Sequence, residues 1–187
     1  MNRPIFRPTP IEGLLAIERE PIGDSRGFLE RLFCQDSLGQ VLQGKPVRQI
    51  NRTLTRQKGT VRGLHFQYPP CAETKIVTCL RGQVWDVAVD LRRESPTFLK
   101  HHAVLLTEDN GLSYFIPEGF AHGFQTLTYD CELLYFHTAD YNVEFEGALN
   151  ANDPFLSIPW PGPIIERSDR DINHPMLADN FQGIELS

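Results

Sequence analysis

The sequence predicts an all-β protein, an antiparallel sandwich or barrel, on three observations. Short β-like runs recur between turn signals from residue 47 to about 149, helical periods are few, and glycines punctuate the chain at regular spacing. Residues 1–20 read as an extended arm, because Pro4, Pro8 and Pro10 exclude a helix. Asp24-Ser25-Arg26-Gly27 is turn chemistry, and a strand is expected over 28–33. Asp36 is placed to cap a short helix over 37–42. Strands then follow over 47–53, 60–67, 75–80, 83–90, 101–106, 113–116, 123–127 and 132–138. Arg81-Gly82 fits a two-residue hairpin turn between two of them. From Asn152 the tail is rich in proline and acids, with short helical turns expected near Ser168 and Ala178. No repeat, linker or low-complexity tract divides the chain. It reads as a single domain over 1–187, with an arm over about 1–46, a barrel over about 47–150 and a tail over 151–187.

Composition narrows the partners. At 187 residues the chain is long enough to bury a real core, and its net charge of −6 offers no basic field for nucleic acid. No apolar run reaches spanning length and the N-terminus lacks a basic-then-apolar leader, so neither membrane span nor secretion is expected. The four cysteines show no CxxC spacing and are expected as buried thiols in a reducing cytoplasm.

The chemistry concentrates in Val61-Arg62-Gly63-Leu64-His65-Phe66-Gln67 and the nearby Lys75. An imidazole between two cations on neighbouring strands suits removal of a proton next to a carbonyl. The ring takes the proton while the fixed charges hold the anion that forms. Strict alternation would put Arg62 and His65 on opposite faces, so sharing one cavity demands a bulge, and Gly63 is where it fits. In 83–90, Trp85, Val87 and Val89 share one face, while Asp86 and Asp90 share the other with Val84 and Ala88. A buried Asp86 needs a partner, so that face is expected to look into a polar cavity.

The segment from Gly111 through Pro117-Glu118-Gly119-Phe120-Ala121-His122 resembles the second motif of the cupins. A metal-binding cupin also needs a His-x-His, and Gln67 stands two residues after His65, so no metal is expected. Through most of its length the chain resembles one metal-free cupin family, the nucleotide-sugar 3,5-epimerases of the dTDP-4-dehydrorhamnose 3,5-epimerase type. The matching residues include Asp24-Ser25-Arg26-Gly27, Gln49-Ile50-Asn51, the His65 stretch, Lys75 and Trp85 through Asp90. They continue through Ser95-Pro96-Thr97-Phe98, Ile116 through Phe124, Tyr135, Tyr141, Asn152-Asp153-Pro154, Ile158-Pro159-Trp160-Pro161 and Ser168-Asp169-Arg170-Asp171.

The resemblance implies a double-stranded β-helix (jelly-roll) barrel and cofactor-independent epimerisation of a nucleotide-activated 4-keto-6-deoxyhexose. It makes His65 the general base, with Asp171 orienting it, Lys75 at the enolate oxygen and Tyr135 as the acid on the opposite face. Read alone, Tyr135 is an ordinary strand tyrosine and Asp171 a helix cap. Arg62 and His122 would line the sugar and phosphate region, and Gln49 and Asn51 would hydrogen-bond the ligand. Tyr141 would stack on the base, with Glu146 and Arg170 completing the binding set and Arg170 holding phosphate. Arg26 would serve a neighbouring subunit's site, making the protein a homodimer. Arg31 stands where the best-known members carry glutamate, Ala151 where tryptophan is frequent and Phe66 where tyrosine is frequent, leaving the nucleotide and exact sugar open. The alternatives are a C3-only or C5-only epimerase, a 3,4-ketoisomerase on the same scaffold, and a non-catalytic sugar-binding cupin.

Overall fold

The computed structural model describes residues 3–186. Its elements in chain order are β1 (Ile5–Pro8), β2 (Leu15–Glu18), β3 (Ile22–Asp24), β4 (Gly27–Leu29), α1 (Gln35–Leu42), β5 (Gln49–Thr55) and β6 (Val61–Gln67). They continue with β7 (Lys75–Arg81), β8 (Gln83–Asp90), β9 (His101–Thr107), β10 (Leu112–Ile116), β11 (Phe120–Thr126), β12 (Cys131–His137), β13 (Glu146–Ala148) and α2 (Asp169–Ile172). One antiparallel sheet runs β1-β2-β10-β7-β12-β5, and a second runs β13-β6-β11-β8-β9. The two face each other as a jelly-roll barrel, with β3 and β4 forming a separate hairpin. No described helix is long and apolar enough to cross a membrane.

Alternation sorts the side chains into three layers. Val77, Cys79, Val84, Ala88, Tyr114, Ile116, Phe124, Leu133 and Tyr135 meet between the sheets. Ile76, Phe115 and Phe136 point the other way, where Leu38 and Leu42 of α1 cover them. Val87, Val89, Leu64 and Phe66 pack under the C-terminal tail through Leu156, Leu177 and Ile184, with Trp85 edge-on to Trp160 at 5.5 Å. Each such aliphatic side chain stabilises the fold by roughly 1.5–3 kcal/mol. The tail is therefore one wall of the barrel's packing, and that is how its residues reach the interior site.

Several expectations change on contact with the structure. The extended N-terminal stretch contributes β1 and β2 to the first sheet, with Ile17 buried. Pro8 is tolerated there because β1 is an edge strand. The strand expected over 28–33 ends at Leu29, because the turn at Asp24 closes a short hairpin instead. Cys34 rather than Asp36 occupies the N-cap of α1, though Asp36 still lies in the first turn, where the helix dipole favours a carboxylate. Arg81-Gly82 closes no hairpin: β7 pairs with β10 and β12, β8 with β9 and β11, and the dipeptide carries the chain between sheets. Gly82 turns that corner at φ +78°, where a Cβ would lie 2.6 Å from Thr128 Oγ1. Near Ala178 there is a single turn, Phe181 N–H donating to its carbonyl at 2.9 Å, while α2 forms behind a Ser168 cap. Cys79 and Cys131 are buried, but Cys34 and Cys71 are half-buried; none of the four is in a disulfide.

Candidate active site

A cleft of about 250 Å³ opens into the barrel between the two sheets. Its walls carry Arg62 and His65 from β6, His122 from β11, Asn51 from β5, Lys75 from β7 and Tyr135 from β12, with Tyr141, Glu146 and Arg170 at its rim. Arg62 and His65 share it because β6 bulges where expected. His65 pairs with His122 and Arg62 with Phe124, so two residues, Gly63 and Leu64, stand opposite the single Gly123. Gly63 sits at φ +120°, and a Cβ there would approach Gly123 Cα and His122 O to 2.7 Å each. The close approach of the two strands is possible only with glycine.

Three histidines that line the cleft are each held by a carboxylate, and exposure separates them. His65 Nε2 lies 2.8 Å from Asp171 Oδ1, His122 Nε2 2.8 Å from Asp86 Oδ1, and His137 Nδ1 2.8 Å from Glu73 Oε2. The His65 side chain is 37% exposed, against 6% for His122 and 11% for His137. Of the three, His65 is the ring a ligand can reach. Burial pushes Asp171 up, but the hydrogen bond and charge of His65, the Gly63 backbone and His174 together hold it below the usual carboxylate range. An ionised Asp171 draws the ring proton to Nε2 and leaves the Nδ1 lone pair free to accept another.

Asp171 is brought to the barrel by a lashed tail. Ser168 caps α2 by accepting from Asp171 N–H, and Asn150 Nδ2 donates to Ile172 O and His174 O while its Oδ1 accepts from Arg167. Lys75 is buried, with Nζ 3.1 Å from His65 O and 3.3 Å from Glu73 Oε1. Tyr135 projects from the sheet opposite the one that carries His65. Burial pushes its phenol well up and the charge of Asp86 adds to this, with Arg62 opposing, so the O–H is kept. Asp86 is itself pushed up by burial, with His122 and Lys75 pulling back, and its Oδ2 has no hydrogen-bond partner among the described residues.

The rim is polar and hinged on Glu146, which accepts from Tyr141 Oη at 3.0 Å and pairs with Arg170. Two of the expected binding residues lie off the cleft. Gln49 Oε1 accepts from Tyr141 N–H, supporting the rim from behind. Arg26 sits at the β3–β4 turn, ion-paired with Asp24 and almost wholly exposed. Glu73, His137 and His174 are functional-site neighbours that the sequence reading missed. Period-2 spacing places Glu73 beside Lys75 and His137 beside Tyr135, and a three-residue step carries Asp171 to His174, so the signal was present.

Among the described residues, one grouping brings three ligand-type side chains within 4.8 Å: His65, Asp171 and His174. Both ring nitrogens aim at one carboxylate oxygen at hydrogen-bonding distance, and Arg62, Arg167 and Arg170 line the hollow beside it. Such a field suits an anion and opposes a divalent cation. Chemically, the cleft offers a reachable base, a buried ammonium, a protonated phenol from the opposite sheet and a basic rim.

The profile of the dTDP-4-dehydrorhamnose 3,5-epimerase family matches residues 8–179. The chain is 38% identical over 185 residues to the dTDP-4-dehydrorhamnose 3,5-epimerase of Sinorhizobium fredii, covering 97% of this chain and 95% of that protein. Among solved structures it is similar to a dTDP-6-deoxy-D-glucose-3,5-epimerase from Legionella pneumophila in complex with dTDP-4-keto-L-rhamnose. The TM-score is 0.91 at 34% identity, over 98% of this chain and 99% of that one. A 3'-monoepimerase from Streptomyces bikiniensis in complex with dTDP-quinovose gives a TM-score of 0.84 at 33% identity, over 91% and 86% of the two chains.

Proposed function

The chain belongs to the dTDP-4-dehydrorhamnose 3,5-epimerase family, and from that premise we propose that it converts dTDP-4-dehydro-6-deoxy-D-glucose to dTDP-4-dehydro-L-rhamnose. The C4 ketone acidifies the protons on C3 and C5. His65 Nδ1 removes one of them, and the C–H electron pair moves into a C=C bond, leaving negative charge on the C4 oxygen. Lys75 offsets that charge, which exists only once the proton has left. Tyr135 then donates its phenolic proton to the same carbon from the opposite face, inverting it. The imidazolium releases its proton and the phenolate regains one, and the cycle repeats at the second carbon.

One observation carries this reading: the reachable imidazole held by Asp171 and the protonated phenol project into one cleft from facing sheets, with Lys75 Nζ in the same cleft at the His65 backbone carbonyl. Arg62 and His122 line the cleft and would meet the sugar and phosphates, Asn51 beside them would hydrogen-bond the ligand, and Gln49 supports the rim. Tyr141 is 53% exposed, free to stack on a nucleobase, and Arg170 with Glu146 closes the phosphate end. Because the arm supplies strands and the tail supplies Asp171, we read the whole chain as one catalytic unit. A homodimer is supported by the β3–β4 hairpin, which holds Arg26 out among exposed Ile22, Phe28 and Leu29. Four cysteines outside disulfides support a reducing cytoplasm.

The test is proton NMR of the dTDP-ketosugar with the protein in D2O. Deuterium at both C3 and C5 is expected. Similarity to a 3'-monoepimerase gives the C3-only reading its standing, and deuterium at C3 alone would establish it. No exchange at either carbon would leave a sugar-binding module.

A further inference from the structure

His65 and Asp171 have a third partner that the reaction as drawn does not use. His174 directs Nε2 to the same Asp171 Oδ1 that His65 holds, at 3.1 Å against 2.8 Å. The two rings meet edge to face with centroids 5.3 Å apart. The His174 side chain is only 9% exposed and lines neither the cleft nor the hollow beside Asp171, so it is out of reach of a ligand there. Its own backbone is tied down through its carbonyl, which accepts from Asn150 Nδ2.

We infer that His174 is a positioning residue, which fixes Asp171 Oδ1 against the base and, by sharing that oxygen, sets the lower pH limit of catalysis. A carboxylate oxygen that accepts from two N–H donors is a weaker acceptor towards each. Sharing therefore reduces the pull of Asp171 on the His65 N–H, and the imidazolium is favoured less. The base stays available to lower pH than a dedicated carboxylate would allow. For this His174 must itself remain a neutral donor. Burial pushes its ring down and the charge of His65 adds to this, with Asp171 opposing and Arg170 adding a further push down. The other charged or titratable groups around the base are Arg62, Arg170, Glu146, Glu73, His122, Tyr135, His137 and Tyr141 in the cleft, Arg56, Glu166 and Arg167 in the hollow, and Lys75 at its backbone carbonyl. None of these contacts the shared oxygen in the hydrogen-bond network.

The inference rests on His65 being the base, and its test separates the two ideas. His174→Leu removes the donor and keeps the bulk; His174→Gln keeps a donor without the ring. The pH dependence of kcat/KM for deuterium exchange into the dTDP-ketosugar is measured for both and for the unmodified enzyme. The acidic limb of His174→Leu is expected to move up by about one pH unit. Its kcat is expected to fall roughly tenfold, as for a base held slightly out of line, with KM unchanged. His174→Gln should return the limb to its original place. A His174→Leu profile superimposable on the original, or a limb that His174→Gln fails to restore, overturns the inference. If the unmodified enzyme exchanges nothing, the epimerase reading fails. The titration of the His65 ring, followed by its 15N resonances, then still decides: a shift in His174→Leu supports the shared oxygen, and none refutes it.

Discussion

Replacing Gly63 with alanine should damage both the fold and the site, for one geometric reason. The residue lies at φ +120°, where an L side chain is strained by about 1–3 kcal/mol. The added Cβ would also sit 2.7 Å from two backbone atoms, Gly123 Cα and His122 O, which have no rotamer to yield. Forcing strands β6 and β11 apart adds about 1–3 kcal/mol more. The middle of that range is about 4 kcal/mol, and at about 2–4 °C per kcal/mol for a chain of this size Tm should drop by about 8–16 °C. A shift of His65 by about 1 Å would slow deuterium exchange roughly hundredfold even in the folded fraction. Thermal unfolding by circular dichroism and exchange in D2O read the two effects. Gly39→Ala is the control: its Cβ would meet nothing within 4 Å, and in α1 it should stabilise by about 0.5–1 kcal/mol. A Gly63→Ala protein with unchanged Tm and undiminished exchange would refute the bulge as the device that aligns Arg62 with His65.

Tyr135→Phe deletes the donor but not the base, so inversion should slow more than exchange; equal loss in the two assays would contradict the division of roles. Lys75→Met should lower kcat about 100- to 1000-fold, the scale of losing one oxyanion donor, and a loss confined to KM would assign Lys75 to binding instead. Stability should fall in acid. Burial pushes Asp171, Asp90 and Glu73 up, but His65, Arg92 and Lys75 with His137 hold all three below their ordinary values of 3.8, 3.8 and 4.5. Their stabilisation is present above those values and is lost as pH drops through the lower folded ones. Asp86, pushed up by burial, has the opposite sign. A urea midpoint that holds steady from pH 7 to about pH 3 would contradict these pairings.

The strands were legible because their period of two is written residue by residue, and β8 falls on the expected 83–90. Which strands pair was not, as Arg81-Gly82 demonstrates. Local turn chemistry says that the chain turns, while the choice of sheet depends on partners far along it. The Gly63 bulge was recoverable from a conflict, since alternation separates Arg62 from His65 and their shared chemistry requires them together. Asp171 came from the family resemblance alone; its delivery depends on Asn150 and Ser168, contacts that no local pattern announces. His137 and Glu73 were visible in the alternation from Tyr135 and Lys75 but carried no motif. His174 lies three residues past Asp171, a spacing that is readable only once Asp171 itself is known to belong to the site.

Deuterium incorporation by His65→Asn decides whether this one imidazole removes the proton at both carbons. Neither C3 nor C5 of the dTDP-ketosugar should acquire deuterium above the uncatalysed rate, while the nucleotide sugar still binds. Exchange persisting at either carbon at the rate of the unmodified enzyme would show that another group removes that proton.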